Sequence, residues 1–280
     1  MIQEDLVFDV GVNNGDDTAH YLSRGFRVVG VEADIDMIRS CETRFADEIT
    51  LGRLTLLHCA IAAADGPVAF FVSEGNRGVW SSLDRAEASR GGLSAREISV
   101  EGRRFRSLML EYGTPYYAKI DIEGADALCL RDLDETFAPT FVSFEANEGS
   151  LSDVIALANA GYTRFKLISQ FEGFRQARPP DLDSLRGAFS IASRWCRRRL
   201  RPVTSRIRRW NRRAGGIESF ADTPLRETAK GMEKFVVSSS GPMSDRTPGN
   251  WLSLEELFLA WIYHVRRTTT SDWFDVHATR

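Results

Sequence analysis

Short apolar runs alternate with amphipathic stretches along about the first 170 residues of the chain. Runs suited to buried strands occupy residues 7–12, 28–31, 54–59, 116–122, 141–144 and 162–168. Between them, apolar residues recur at helical spacing in 35–45, 125–133 and 151–160, and a further helix begins near Asp16. Because strands that alternate with helices form parallel sheets, this order predicts an α/β fold with a doubly wound, mostly parallel sheet.

One part of this region departs from the alternation. Residues 67–72 predict a strand in an antiparallel position, because Asp65 and Gly66 mark a turn before it. Residues 74–102 are rich in glycine, serine and arginine and have weak periodicity. They predict a loop with a short helix.

The later part of the chain predicts an insertion and a closing helix. Residues 171–231 contain paired prolines, an arginine-rich run and paired glycines, which interrupt the pattern. A capping box of Ser253 and Glu256 predicts a helix at 252–265. We expect one domain over 1–280, with 171–231 as a basic helical insertion or lid, 235–239 as the last strand, and 250–280 as a C-terminal helix and tail.

A glycine turn joins the first predicted strand to the first helix. Gly11 and Gly15 bracket this turn, so the backbone there can come close to a ligand. Glu32 ends the second strand about 20 residues later, where a carboxylate can accept hydrogen bonds from a ribose diol. The glycine spacing differs from the GxGxxG of dinucleotide-binding enzymes. The stretch predicts a nucleoside site, and a glycine-rich connection without a ligand is the alternative.

Two later strands also end in acids, at Asp121, Glu123 and Glu145. Since ligands bind outside the carboxyl ends of parallel strands, we expect these acids and the glycine turn to share one edge of the sheet. Buried carboxylates are costly unless they are paired, hydrogen-bonded or metal-bound. A structural network with Lys119 is therefore one interpretation, and a site for proton transfer is another. A divalent metal such as Mg²⁺ is a third, which the spacing does not require.

Several motifs together resemble the FkbM family of class I S-adenosylmethionine-dependent methyltransferases. They are DVGVNNGDDT at 9–18, VEAD at 31–34, KIDIEGAD at 119–126 and FEAN at 144–147. The resemblance covers about the first 170 residues and leaves out the arginine-rich insertion. It implies a seven-stranded Rossmann-like methyltransferase sheet with S-adenosylmethionine as cofactor.

The resemblance also implies roles for individual residues. The methionine and ribose parts of the cofactor would lie over the glycine turn, with Glu32 on the ribose hydroxyls and Asp34 beside it. Asp121 would face the methyl donor or the acceptor, and Glu123 would position or deprotonate an acceptor hydroxyl, with Glu145 completing the acidic group. The cofactor-binding set implied in this way is Asp9, Gly11, Asn13, Gly15, Thr18, Glu32, Ala33, His58, Ala60, Ser82 and Asp121.

Three residues keep two interpretations each. His58 would lie near the adenine, where packing or capping fits it better than chemistry. His277, in the closing WFDVHA stretch, is a candidate general base near neutral pH, and an exposed terminal histidine is the alternative. Ser82 belongs to a loop that either closes over the cofactor or is a plain surface loop.

Composition fits a globular protein and contains one anomaly. Of the 280 residues, 43% are hydrophobic and 27% are charged, and neither a signal peptide nor a long apolar run is evident, so we expect a cytoplasmic protein. The four cysteines fit no paired spacing and are expected as small buried hydrophobes. The net charge is −3, but ten arginines and no acid lie between Arg194 and Arg213, which leaves −3 − 10 = −13 on the remainder.

The basic segment from Arg194 to Arg213 has three interpretations. Tryptophan and aliphatic residues are interleaved with the arginines, so a helix here would be amphipathic. It fits a solvated helix packed on the acidic body, or a helix at the inner surface of an anionic membrane. Nucleic-acid binding is least favoured, because the acidic remainder repels phosphates.

These features together lead us to expect an S-adenosylmethionine-dependent O-methyltransferase. The expected acceptor is a hydroxyl of a sugar, glycan or natural product. The alternatives are a non-catalytic nucleoside-binding protein on the same fold, and an RNA methyltransferase that uses the arginine-rich segment.

Overall fold

A seven-stranded sheet lies at the centre of the computed structural model, which describes residues 1–74, 80–147, 149–170, 173–180, 226–227, 234–235, 239–265 and 273–280. All strand pairings are parallel except those of the last strand, which runs antiparallel to both neighbours. The predicted doubly wound, mostly parallel sheet is confirmed. Its strands, from edge to edge, are β3 (Leu54–His58), β2 (Arg27–Glu32), β1 (Ile2–Val10), β7 (Thr114–Ile120), β8 (Phe141–Ala146), β12 (Phe274–Thr279) and β9 (Arg164–Ser169).

Helices cover both faces of this sheet. One face carries Phe8, Ala118 and Val142, which belong to a core shared with the later helices. The other face carries Val7 and Tyr117, which pack with residues of the first two helices. The helices are α1 (Asp16–Ser23), α2 (Ile35–Arg44), α3 (Ala46–Thr50), α4 (Arg85–Ala88), α5 (Phe105–Tyr112), α6 (Asp126–Arg131), α7 (Leu151–Asn159) and α8 (Leu254–His264).

Two helix starts follow directly from capping chemistry. The predicted capping box at α8 is present, because the Ser253 side chain accepts from the Glu256 backbone and the Glu256 side chain accepts from the Ser253 backbone. At α2, the Asp34 side chain accepts a hydrogen bond from the Asp36 backbone N–H at 2.9 Å. Asp34 is therefore an N-cap, and its carboxylate is turned toward the helix.

A second sheet includes the last part of the stretch 74–102, for which the sequence predicted a loop with a short helix. The strand β6 (Ala95–Arg103) pairs with β5 (Gly66–Ser73) in antiparallel and with β4 (Ala60–Ile61) in parallel orientation. The antiparallel position of 67–72 is confirmed, although it lies outside the main sheet. The predicted short helix is present as α4, whereas the loop prediction was wrong for residues 95–102, because the charged residues Arg96, Glu97 and Glu101 leave β6 without an apolar run.

The closing stretch is a central strand, where the sequence predicted a tail. All six residues of β12 are buried, and the strand pairs with β8 and β9 on its two sides. Alternating Asp275, His277 and Thr279 hid this strand, since buried strands usually form apolar runs. The strand predicted at 235–239 does not join the main sheet: Lys234–Phe235 (β11) pairs with Arg226–Glu227 (β10), and residues 236–238 lie outside the described residues.

Most of the predicted insertion at 171–231, including the segment from Arg194 to Arg213, also lies outside the described residues. Within the described part, none of the helices has the length and apolarity needed to cross a membrane. Cys41, Cys59 and Cys129 are free and buried, as predicted. Cys196 falls outside the described residues.

The position of β12 leads to a test by amide hydrogen exchange. Hydrogen bonds on both sides should protect Phe274–Thr279 more strongly than the edge strand Leu54–His58, for which the described residues provide one partner strand, β2. We expect exchange at least about tenfold slower in β12 than in β3, measured by NMR or mass spectrometry. Exchange in 274–279 as fast as in a free tail would contradict this position.

Candidate active site

The glycine turn between β1 and α1 lies directly against the end of β7. Gly11 has φ +87°, and a Cβ added there would lie 2.0 Å from the backbone oxygen of Asp121. No side chain larger than hydrogen fits at such a separation. The glycine therefore permits a close approach between two parts of the protein's own backbone, the glycine turn and the residue Asp121.

Glu32 closes the other side of this turn at the end of β2. Its Oε2 accepts from the Asn13 backbone N–H at 2.8 Å, and its Oε1 accepts from the Ala33 and Asp34 N–H groups at 2.8 and 2.9 Å. Burial raises the pKa of Glu32, and these N–H groups oppose the rise. The carboxylate is thus fixed in direction. It remains partly exposed, with lone pairs left for a ligand diol.

A buried ammonium group joins the turn to the acids. The Nζ of Lys119 donates to the Gly11 carbonyl oxygen at 2.9 Å. It also lies 3.3 Å from Oδ1 of Asp9, 3.7 Å from Oδ2 of Asp17 and 3.7 Å from Oδ2 of Asp121. The predicted structural network with Lys119 is present for Asp121.

Asp9 and Thr18 form a buried hydrogen bond between the two ends of the glycine turn. Both are fully buried, and Oγ1 of Thr18 donates to Oδ2 of Asp9 at 2.6 Å. Burial raises the pKa of Asp9 to about 6, while Lys119 opposes the rise. These two residues, which the sequence placed among the cofactor contacts, hold the turn in shape from inside the protein.

Three carboxylates gather at the ends of β7 and β8. Oxygen atoms of Asp121, Glu123 and Glu145 all lie within 4.8 Å of one another. Burial first, and repulsion by Asp121 second, raise the pKa of Glu123 to about 8 and that of Glu145 to about 7. We call these three residues the acid group. An arrangement of this kind can take up a proton near neutral pH, and its oxygens are also of the type that binds a divalent cation.

Two of the residues expected at the cofactor, Ser82 and His58, make hydrogen-bond contacts within the protein. Ser82 is 1% exposed, and its hydroxyl donates to the Glu123 carbonyl oxygen at 2.7 Å. His58 is exposed, and its Nε2 contacts the Ala33 carbonyl oxygen at 3.1 Å, as the capping interpretation predicts. Ala33 and Ala60 are buried and belong to one small core cluster.

His277 lies beneath the acid group rather than in it. It pairs with Ser143, two residues below Glu145 along β8, and it is 1% exposed. Its Nδ1 is 2.9 Å from Oγ of Ser244, and burial lowers the pKa of His277 to about 3. An imidazole that stays neutral and is sealed from solvent is poorly suited to general-base chemistry near neutral pH. The geometry favours a structural role over both sequence-based interpretations.

Sequence reasoning missed three charged residues at this edge. Asp275 pairs with Glu145 across β12 and β8, and the Asp17 side chain binds Ser239 and Ser240. Arg90 contacts Glu123. The alternation in FDVHAT could have identified Asp275, but no local pattern marked Arg90.

One of the comparisons with known proteins identifies a family. The family profile described as "Methyltransferase FkbM domain" matches residues 9–164. None of the curated proteins compared with the chain matches it.

Three solved structures are similar to parts of the chain. The methyltransferase FkbM from Methylobacillus flagellatus KT has 16% identity and a TM-score of 0.41, over 60% of this chain and 40% of that one. The methyltransferase domain of bacterial CtHen1-CN has 12% identity and a TM-score of 0.34, over 61% and 84% of the two chains. Precorrin-6y C5,15-methyltransferase from Geobacter metallireducens GS-15 has 13% identity and a TM-score of 0.32, over 62% and 73%.

Substitution of Gly11 by alanine tests the close approach to Asp121. Gly25 is a matched control, since its φ of +88° is nearly the same but nothing lies within 4 Å of an added Cβ. We expect Gly25→Ala to cost about 1 kcal/mol of unfolding free energy, and Gly11→Ala to cost roughly 1–3 kcal/mol more. Urea denaturation measures both. Equal losses would show that the approach at Gly11 relaxes freely.

The raised pKa of Glu123 predicts a stability that falls with pH. The folded state binds a proton that the unfolded state releases near pH 4.5, so stability is highest below that value and is lost as pH rises toward about 8. Between pH 5 and 8, the unfolding free energy of the unaltered protein should fall by an amount on the order of 2 kcal/mol because of Glu123. In Glu123→Gln we expect this fall to be absent. Denaturant midpoints across this range measure the slope. An unchanged slope in the variant would contradict the assignment.

Proposed function

The chain belongs to the FkbM methyltransferase family, and from that premise we propose that it transfers a methyl group from S-adenosylmethionine to a hydroxyl of a sugar, glycan or natural product. One observation carries the proposal: Glu32 and the acid group lie on opposite sides of the same glycine turn. Glu32 is a hydrogen-bond acceptor that backbone N–H groups hold in place, and the acid group can bind a proton. The first suits a nucleoside, and the second suits the removal of a hydroxyl proton.

The residues at this edge fit the proposed cofactor. S-adenosylmethionine, when bound, supplies an electrophilic methyl group on a positively charged sulfonium. The network around Lys119 has three carboxylates against one ammonium, and Glu145 adds a partly ionised carboxyl, while Glu123 is paired with Arg90. Such a negative excess favours a cationic ligand over a neutral or anionic one. The Glu32 carboxylate, turned by backbone N–H groups, would receive the ribose hydroxyls.

Within the acid group, Glu123 is the best candidate to accept the proton from the acceptor. Its pKa of about 8 lies near the expected working pH, where a base is strong enough and still partly ionised. Glu145, with a pKa of about 7, has a carboxylate oxygen within 4.8 Å of one of Glu123, and its charge raises the pKa of Glu123 further. Asp121 is oriented by the Lys119 ammonium, so it can direct the acceptor hydroxyl or balance the donor charge.

Donor binding and methyl transfer test separate parts of this proposal. We expect calorimetry to show binding of S-adenosylmethionine and S-adenosylhomocysteine, and Glu32→Gln to weaken it about tenfold by loss of charged hydrogen bonds. In methyl transfer to a panel of neutral glycosides and phenols, Glu123→Gln should lower kcat by about 10² to 10⁴ with little change in donor affinity. Glu97→Gln is the control, because Glu97 also pairs with an arginine but lies on β6.

The alternatives correspond to distinct outcomes of these measurements. Tight binding of NAD alone would overturn the methyltransferase assignment. Donor binding without transfer to any acceptor would favour a non-catalytic nucleoside-binding protein. Transfer to RNA, with steep salt dependence, would identify an RNA methyltransferase.

A further inference from the structure

Arg90 makes the ion pair that contacts the acid group from outside the sheet. Its Nη2 lies 2.6 Å from Oε2 of Glu123, and the Glu123 side chain is 13% exposed against 38% for Arg90. The pair therefore reaches from a surface turn into a largely buried carboxylate. A bond of this length between charged groups has the geometry of a strong hydrogen bond.

The protein holds the Arg90 guanidinium from two further sides. It lies over the Trp80 ring, with 4.6 Å from the Arg90 Cζ to the ring centroid. Its Nη1 lies 3.3 Å from Oε2 of Glu87, at the end of α4. Gly91 has φ +73°, and a Cβ there would lie 3.3 Å from Trp80, so the 3₁₀ turn Arg90–Gly92 packs closely on the indole. The position of the guanidinium is thus held by Trp80 and Glu87 as well as by Glu123.

The same surface segment, residues 80–92, also forms a hydrogen bond with the backbone of Glu123. The Ser82 hydroxyl donates to the Glu123 carbonyl oxygen at 2.7 Å. Glu123 itself has φ +47°, a conformation that non-glycine residues adopt at a cost, and Gly124 follows with φ +88°. Two contacts from residues 80–92 therefore maintain an unusual backbone turn and the direction of its carboxylate.

We propose that Arg90 is a positioning residue, which holds the Glu123 carboxylate beside Asp121 and Glu145 so that Glu123 can accept the proton of the methyl acceptor. This role rests on the proposed function. Arg90 itself need not touch the donor or the acceptor, since it acts through Glu123.

Charges around Glu123 make the role of Arg90 measurable. On the strand ends and on α6, Asp121, Glu145 and Asp126 all raise the pKa of Glu123, after the larger effect of burial. The Arg90 guanidinium lowers it. Glu87 faces Arg90 from α4, and Lys119 faces Asp121 from β7. Without the guanidinium, only carboxylates would remain among these neighbours of Glu123, so the pKa of Glu123 would rise.

The decisive variant is Arg90→Gln, compared with Arg90→Lys and Arg85→Gln. Arg85 is a matched control because it also lies over an aromatic ring, Phe71 at 4.6 Å, and pairs with a glutamate, Glu97 at 2.5 Å. We expect Arg90→Gln to shift the Glu123 titration upward by about one pH unit. At pH 7, kcat should fall about tenfold and recover above pH 9, while the donor Kd stays unchanged. Arg90→Lys should restore much of the profile, and Arg85→Gln should match the unaltered protein.

Two independent readouts separate this role from the proposed function. Carbon-13 NMR of labelled glutamate carboxyls, with Glu123→Gln to assign the signal, follows the titration in the donor-free protein and needs no activity. Failure of methyl transfer by the unaltered protein would defeat the proposed function and leave the titration result standing. An unshifted Glu123 titration in Arg90→Gln, or a fall in kcat by the same factor at every pH, would overturn the positioning role.

Discussion

The placement of one ammonium group, Lys119, underlies the arrangement of the whole candidate site. Its Nζ binds the Gly11 carbonyl oxygen and lies within ion-pair distance of Asp9, Asp17 and Asp121. A buried cation of this kind is tolerated only where carboxylates replace its lost hydration, and each carboxylate needs the cation for the same reason. The two parallel strands β1 and β7, the glycine turn and the start of α1 are therefore tied at a single point. Removal of the Lys119 ammonium would leave Asp9 and Asp17 as buried carboxylates without their cation.

This constraint also explains why the edge of the sheet carries so much negative charge. Lys119 is in contact with Asp9, Asp17 and Asp121, while Glu123 has Arg90 as its partner at the surface. Folding brings these acids together against their mutual repulsion, which appears as raised pKa values at Glu123 and Glu145. Proteins commonly lose stability in this way at sites that bind a charged ligand or transfer a proton. The acid group therefore costs the fold stability rather than supplying it.

The sequence predicted those features that depend on local pattern. Apolar runs located the parallel strands, and the acids at their ends converge as expected because parallel strands share one edge. Prediction failed for β6 and β12, where charged or polar residues alternate with buried ones and the apolar run is lost. It also failed for Arg90 and Asp275, whose roles depend on pairing with residues far away in the chain. Asp9 and Thr18 were assigned to the ligand because motif position does not reveal whether a side chain points outward or inward.

The part of the chain beyond the family match contributes directly to this edge. The match ends at residue 164, yet β12 inserts Asp275 opposite Glu145, and Ser239 donates to Asp17 at 2.5 Å. Asp17 contacts Lys119, so the segment that begins at Ser239 is connected to the glycine turn through one carboxylate. The Asp275 carboxyl, whose pKa is raised by burial, accepts a hydrogen bond from Gln170 on the same side. The glycine turn and the acid group are therefore built from residues within the match, whereas Asp275 beside Glu145 and Ser239 beside Asp17 come from beyond it.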